Sequence, residues 1–563
     1  MKRCPECRRD YYDDSLSYCL DDGAVLLDGP PSMDEPPTAV IPSVAATDSE
    51  TRVLRSQDDG RQAKDSAARP PRRQAVVAGI AGMLVVTALG LGSYWLYGRG
   101  SSKQIDSIAV MPFVNESGSS DLEYLSDGMA ESLIKSLSGL PGLIVKPRSS
   151  VIRYKGRDAD VQTLAHEMNV QAILNGRVAE HGDRLTLSLE LVDAQKDAVI
   201  WTDRYERARS ELVSLQSEIA RDVSANLRAK LSGAEEQNVS KPTTANSEAY
   251  QAYLKGRYFW NKRTYDDLLK AVDHFKSAIE QDDRFGLAYS GLADTYSVLQ
   301  YYRGSKSNDF VAQARPYAMK AVELDDQSAE AHSSLAFVHE GSWEWADAER
   351  EYQRALQLNP NYSSALLRYA RFEARVPKSD AEALGRMKRA LEAEPSSLVV
   401  NDNLSQVYLS QGDVVRALEQ AKRTVELDPN YSFGWIDLAY AQLKNGQAAD
   451  ALVSANKVIE VTNRSSRSLV CIGVTNAGAG RPDEARAIVK ELETRYAGSQ
   501  ADATDIAAVY AGLGSADQAF AWLDKAFADR SSLLVDVRAE YPFATLLNDP
   551  RYLELRKRMG MPN

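Results

Sequence analysis

The sequence predicts a multidomain chain: a small cysteine-bearing segment, one transmembrane helix, an α/β module, and an all-α superhelix of stacked repeats. Three observations predict it. Gly412, Gly446, Gly480 and Gly514 recur at a constant step of 34 residues. Residues 75–97 hold no charged side chain. Between residues 105 and 232, short apolar strands alternate with amphipathic helices.

The repeats carry the strongest signal. Small residues keep the same step at Ser405, Ala439, Gly473 and Ala507, and alanines keep it at Ala417, Ala451, Ala485 and Ala519. A fixed period of this length marks stacked helix–turn–helix units. Antiparallel helices approach closely only where side chains are small, and glycine readily takes the left-handed conformation that ends a helix. Pro360, Pro395 and Pro429 fall just past second helices, where proline stops helix continuation. With Ala336, Ala348, Tyr352, Ala355 and Pro360 in the cleanest unit, residues 246–530 resemble the tetratricopeptide repeat. Eight units are counted, at the late-second-helix positions Ala278, Ala321, Ala355, Ala390, Thr424, Val458, Leu492 and Ala526. Insertions at Lys262 to Asp267 and Tyr301 to Asp309 are expected to lengthen two turns.

That resemblance implies a right-handed superhelix with a concave groove lined by first helices, which takes extended peptides or a partner helix. Counting from the small-residue slots points Phe337, Arg371, Arg375, Gln406, Tyr440 and Lys444 into the groove. Arginine and aromatic side chains dominate interface energies. Arg371 and Arg375 share a helix face and could grip a carboxylate; a solvated face without a ligand is the plainer alternative. The dicarboxylate clamp of chaperone-binding repeats is not reproduced, so a C-terminal peptide ligand is not implied. Residues 531–563 read as capping helices, with Leu546, Leu547, Tyr552 and Leu555 covering the last unit.

Residues 105–232 alternate strand and helix. Ile108 to Phe113 and Leu143 to Val145 are short apolar strands, and Asp121 to Leu140 has helical spacing. Ala172 to Val178 and Arg184 to Val192 form a hairpin around Gly182-Asp183. Val199 to Thr202 is a further strand, and Ser210 to Leu231 is an amphipathic helix. Asp127-Gly128 reads as a turn or helix start rather than a catalytic pair. On Ile108 to Phe113, Ser126-Asp127-Gly128, Ile173 to Gly176, Leu191 to Ala194 and Trp201, the module resembles the N-terminal domain of the Tol translocation protein B. In bacterial membrane proteins such a module precedes tetratricopeptide repeats and often follows a cytoplasmic effector and one span. Here a cysteine segment stands in the effector's place.

That segment, residues 1–27, contains Cys4-Pro5-Glu6-Cys7 and then Cys19 and Asp22. It resembles short bacterial zinc ribbons. Cys4, Cys7, Cys19 and Asp22 could close a tetrahedral zinc site, since zinc accepts thiolate and carboxylate ligands; a metal-free ribbon is the other reading. Residues 28–74, rich in Pro, Ser, Ala, Asp and Arg, read as a disordered linker. A helix over residues 75–97 would be about 34 Å long, enough to cross a hydrocarbon core. Arg55, Arg61, Lys64, Arg69, Arg72 and Arg73 precede it, while Arg99 and Lys103 follow. The positive-inside rule then puts the N-terminus in the cytoplasm of a bacterium and everything after residue 98 outside the inner membrane.

The net charge of −12 argues against general affinity for nucleic acid. There is no glycine-rich phosphate loop, no His-Glu-x-x-His pair and no kinase catalytic loop. His332 and His339, seven residues apart, are explained by repeat slots, and Cys471 reads as a packing thiol. The expected protein is therefore a non-catalytic, membrane-anchored scaffold or sensor that binds partner proteins through its repeats. The alternative is a relay to a cytoplasmic effector or DNA through the ribbon.

Overall fold

A computed structural model describes residues 105–140, 142–157, 160–227, 243–303, 309–376 and 380–562, together with three two-residue strands before residue 29. Those strands, β1 (Lys2–Arg3), β2 (Asp10–Tyr11) and β3 (Leu27–Asp28), pair antiparallel with β1 in the middle. They belong to a compact unit, Met1–Gly98, that is separate from Arg99–Asn563. Among the described residues no helix is long and apolar enough to cross a membrane; residues 75–97 lie outside them.

The larger unit opens with the sheet. Strands β4 (Ser107–Val110), β5 (Val114–Asn115), β6 (Ile144–Val145), β7 (Ala172–His181), β8 (Arg184–Asp193) and β9 (Ala198–Ala208) run in the order β6-β4-β7-β8-β9, with β5 beside β7. β4 lies parallel to β6 and β7, whereas β7, β8 and β9 form an antiparallel meander. The β7–β8 turn falls at Gly182-Asp183, where Gly182 has φ +64°. The long strands come from side chains that alternate faces: Leu185, Leu187, Leu189 and Leu191 are buried on β8. Helices α1 (Ser120–Ser138), α2 (Arg148–Val151), α3 (Val161–Met168) and α4 (Leu212–Leu227) complete the module. Asp160 caps α3 by accepting from the Thr163 amide at 2.8 Å. Asp127 and Gly128 sit inside α1, not at a turn or helix start. The Asp127 carboxylate accepts from Lys155 Nζ at 2.6 Å, and a Cβ at Gly128 would lie 3.0 Å from Leu254.

Sixteen helices follow, pairing in sequence as eight antiparallel hairpins among the described residues. They are α5 (Ser247–Lys262) with α6 (Tyr265–Gln281), α7 (Gly286–Arg303) with α8 (Asp309–Leu324), α9 (Ala329–Gly341) with α10 (Trp345–Leu358) and α11 (Ser363–Arg375) with α12 (Asp380–Ala393). Then come α13 (Leu398–Ser410) with α14 (Val414–Leu427), α15 (Ser432–Lys444) with α16 (Ala448–Thr462), α17 (Ser466–Gly478) with α18 (Pro482–Ala497) and α19 (Ala503–Gly512) with α20 (Ala516–Ala528). The late-second-helix residues Ala278, Ala321, Ala355, Ala390, Thr424, Val458, Leu492 and Ala526 are all buried. Gly412, Gly446, Gly480 and Gly514 have φ of 81°, 77°, 74° and 70°, so each turn uses the left-handed conformation. The repeat region is thus built of tetratricopeptide repeats.

The first hairpin corrects one expectation. Lys262 to Asp267 does not lengthen a turn, because only Arg263 and Thr264 separate α5 from α6. Thr264 caps α6, its hydroxyl accepting from the Asp267 amide at 3.2 Å, so the extra residues go into helix. Gly256 of α5 and Gly291 of α7 meet the Phe275 ring of α6 with no Cβ of their own. A Cβ at Gly256 would lie 2.6 Å from that ring, and one at Gly291 2.7 Å from it. Gly291→Ala is therefore expected to cost about 1–3 kcal/mol by overpacking, read as a lowered urea midpoint.

The module is packed into the array. One apolar core runs from Ile108, Leu174 and Leu133 to Tyr250, Leu254 and Phe285. Around it, Arg257 Nη2 on α5 reaches Glu131 Oε1 on α1 at 2.6 Å, and Asn261 Nδ2 donates to the other Glu131 oxygen at 2.8 Å. The Tyr250 hydroxyl donates to Ser132 Oγ at 2.7 Å, and Lys135 pairs with Glu330 of α9 at 2.5 Å. Burial pushes the Glu131 carboxyl up, but Arg257 and Arg148 outweigh it and hold it below its ordinary range.

Candidate functional site

The concave face is the region the sequence singles out, and the structure fills it with the chain's own C-terminal segment. After α20 the chain makes two short 3₁₀ turns, Ser532–Asp536 and Tyr541–Phe543, then α21 (Pro550–Arg558). Leu534, Val535, Val537, Phe543 and Leu546 are buried in the same core as α17 and α19. Trp345 Nε1 of the third hairpin donates to the Met559 carbonyl at 2.9 Å. The segment therefore does more than cover the last unit, as the sequence suggested for Leu546, Leu547, Tyr552 and Leu555. It runs back along first helices.

Most of the predicted groove residues meet this segment or other parts of the chain. Arg375 is 1% exposed, and its guanidinium donates to Glu340 on α9 and to Asp536. Arg371 stands 3.5 Å from the same Asp536 oxygen and 5.5 Å from the Tyr301 ring centre. The Tyr440 ring stacks on Tyr541 at 5.3 Å. Phe337 is 7% exposed beneath the Arg368 guanidinium, which pairs with Asp294 at 2.9 Å. Gln406 lies with Arg371, Arg375, Asn403, Asp536 and Ala539 around a cavity of about 20 Å³, room for a water molecule and no side chain. Lys444 is exposed at the end of α15. Arg371, Arg375 and Gln406 thus come together, while Phe337, Tyr440 and Lys444 do not join them. As folded, Arg375, Phe337 and Tyr440 are covered and cannot meet a ligand from solution.

The interior is unusually acidic for a helical stack. The Asp402 carboxylate accepts from the Tyr431 hydroxyl at 2.5 Å and from Asn403 Nδ2. Burial pushes its carboxyl up to about 7. Asp437, one repeat on, is raised by burial and then by repulsion from Asp402, and its Oδ2 has no hydrogen-bond partner. Burial likewise pushes Asp505 up to about 7. On the rim, Arg467 of α17 pairs with Glu540 of the C-terminal segment. Reading the sequence missed Asp402, Asp437, Arg467, Asp536 and Glu540. For Asp402, Asp437 and Arg467 the available signal was charge on first-helix faces close to the small-residue slots, where a plain helix stack needs apolar side chains; Asp536 and Glu540 carried no such signal.

Other candidates resolve into structural roles. His332 Nδ1 bonds Glu351 at 2.6 Å and His339 Nδ1 bonds Glu344 at 2.5 Å, so the two histidines of α9 serve different carboxylates. His339, Glu344 and Asp347 place ligand-type atoms within 4.8 Å of one another. Arg315 already holds Glu344 at 2.8 Å and Arg350 holds Asp347 at 2.6 Å, which leaves little negative charge for a cation. Cys471 is fully buried, and burial pushes its thiol up to about 12, as for an inert packing thiol. Cys4, Cys7, Cys19 and Asp22 lie outside the described residues.

Fold and site together define a tetratricopeptide-repeat array built onto an α/β module. A family model described as tetratricopeptide repeat matches residues 329–362, the α9–α10 hairpin. Another, described as the second domain of HilA/YgeH-like transcriptional regulators, matches residues 103–222, the α/β module. Putative adenylate cyclase 3 of Rhizobium meliloti is 28% identical over 233 residues, 41% of this chain. The chain spans only 39% of that relative's length. Among solved structures, Pseudomonas aeruginosa PilF is 25% identical, with 39% of this chain and 94% of that chain covered at a TM-score of 0.30. YrrB, described as a tetratricopeptide-repeat protein with an unusual peptide-binding site, is 18% identical, with 35% and 95% covered at a TM-score of 0.24.

Proposed function

We propose that this chain is a non-catalytic, membrane-anchored scaffold or sensor. Residues 75–97 cross the bacterial inner membrane, the N-terminus lies in the cytoplasm, and the module and repeats bind partner proteins outside it. The observation that supports the reading is the stack of eight helical hairpins, whose first units share an apolar core with the module. Repeat arrays of this kind expose long surfaces whose natural ligands are other proteins. Protease shaving of osmotically opened cells, with an epitope tag after Asn563, tests the topology. Loss of the tag while the inner membrane is intact is the expected result. Survival of the tag until that membrane is broken would make the repeats cytoplasmic.

A second reading is that the protein relays an envelope signal inward through the ribbon. The match of the module to a regulator family, and of the chain to a protein named as a putative cyclase, favours signalling over passive assembly. Zinc held by Cys4, Cys7, Cys19 and Asp22 would order that ribbon. Deleting residues 1–27 separates the two: a pure scaffold keeps its function, and a relay loses it.

A further inference from the structure

The C-terminal segment meets the first helices as a ligand meets a receptor. Its contacts follow one another along the segment and reach the second, fourth, seventh and sixth hairpins in turn. Ser532 Oγ donates to Gln300 Oε1 on α7. Asp536 is held by Arg375 and Arg371 on α11. Arg538 donates to the Ala374 carbonyl and pairs with Asp380 at 3.0 Å. Glu540 is held by Arg467 on α17, and Tyr541 stacks on Tyr440 of α15. Between these polar points Leu534, Val535 and Val537 are buried. Carboxylate, four-residue step, carboxylate and then aromatic ring is a recognition pattern. The two carboxylates meet guanidinium groups, the strongest common partner for that group, and the ring meets another ring.

We infer that residues 531–549 are an intramolecular ligand of the repeat groove. The partner the groove is built to take is an acidic segment folded in 3₁₀ turns with the same order of groups: an Asp for Arg371 and Arg375, a Glu four residues later for Arg467, and an aromatic residue next to it for Tyr440. This rests on the scaffold reading and supplies the chemistry of its partner. Because the occupant is tethered, its effective concentration is on the order of millimolar or higher, so a partner in trans enters only when the segment is released or out-competed. The groove is closed at rest, and the segment sets the threshold for opening it.

The test uses the full chain in its folded form and a fluorescent peptide of residues 531–549. Asp536→Asn, Glu540→Gln and Tyr541→Ala together weaken the tethered occupant. The variant, checked for a cooperative thermal transition, is expected to bind the peptide at least about tenfold more tightly than the unaltered chain. Adding Arg371→Met and Arg467→Met should abolish that gain, and a peptide carrying the same three changes should bind about tenfold more weakly. Equal binding of peptide to altered and unaltered chains overturns the inference, as does equal binding of the two peptides. If the triple variant does not fold, hydrogen exchange on the unaltered chain decides. Amides of residues 532–545 should exchange ahead of those in α11 and α17, by opening of the segment alone. Exchange only together with global unfolding makes the segment plain core and overturns the inference. Capture of no partner from envelope extracts would count against the scaffold reading and leave these peptide results standing.

Discussion

Arg375→Ala is expected to cost about 3–5 kcal/mol of folding stability at pH 7, the range for removing one partner of a buried ion pair. Arg375 and Glu340 are each 1% exposed and Asp536 is 7% exposed, so neither carboxylate can recover hydration once the guanidinium is gone. Glu340 keeps the Tyr352 hydroxyl at 2.7 Å, and Asp536 keeps Arg371 at 3.5 Å, but these are weaker partners than the lost one. The pH dependence gives a second check. Burial pushes the Asp536 carboxyl up, but Arg375 and Arg371 outweigh it and hold it below its ordinary range. Its contribution to stability is therefore present above the unfolded carboxyl's pKa and lost as pH falls through the folded one. Without Arg375 the buried Asp536 carboxylate favours protonation more than it does in the unaltered chain, so the deficit of the variant should shrink as pH falls from 7 towards 4. Urea midpoints at several pH values measure this. A loss under about 1 kcal/mol, typical of exposed pairs, would mean that the interior is wet and the pair screened. Arg375→Met combined with Glu340→Gln and Asp536→Asn should recover much of the loss, since a neutral set leaves no buried charge.

Asp402→Asn should do the opposite and stabilise the protein, increasingly so from pH 5 to pH 8. Burial holds the Asp402 carboxyl at about 7, well above its unfolded value. The folded chain then keeps a proton that the unfolded chain releases at about pH 4, and stability falls as pH rises between the two values. For one group the slope is about 1.4 kcal/mol per pH unit, so the full effect is on the order of 4 kcal/mol. Asparagine removes the titration. The Tyr431 hydroxyl, which now donates to Asp402, can turn and accept from the new amide. Relief of repulsion at Asp437 adds to the gain. Asp505 titrates in the same window and keeps a residual slope in the variant. A difference between Asp402→Asn and the unaltered chain that is flat from pH 5 to pH 8 would refute this account. Asp536 and Asp402 thus bend the pH profile in opposite senses: the first penalises acid, the second penalises base.

The sequence alone determined the local architecture. The 34-residue step located the hairpins, because stacking needs small side chains where helices approach and the turns at Gly412, Gly446, Gly480 and Gly514 need a left-handed residue. Both are local demands, and Ala336, Ala439 and Gly446 met them where the period placed them. The alternation of Leu185, Leu187, Leu189 and Leu191 likewise exposed the strand, since side chains of a strand alternate by geometry. Only the tertiary structure decided what the concave face holds. Counting along first helices placed Arg371 and Arg375 on the concave face but could not find the partner they meet within the chain. Asp536 lies 161 residues beyond Arg375 in sequence, and no periodicity links them. Nor could a local pattern show that Glu131 of the sheet module would meet Arg257 of the first repeat. Helix and turn are set by neighbours within a few positions, where spacing is fixed by backbone geometry. An ion pair between distant segments is set by how eight hairpins accumulate their rotation, and that sum is written in no single repeat.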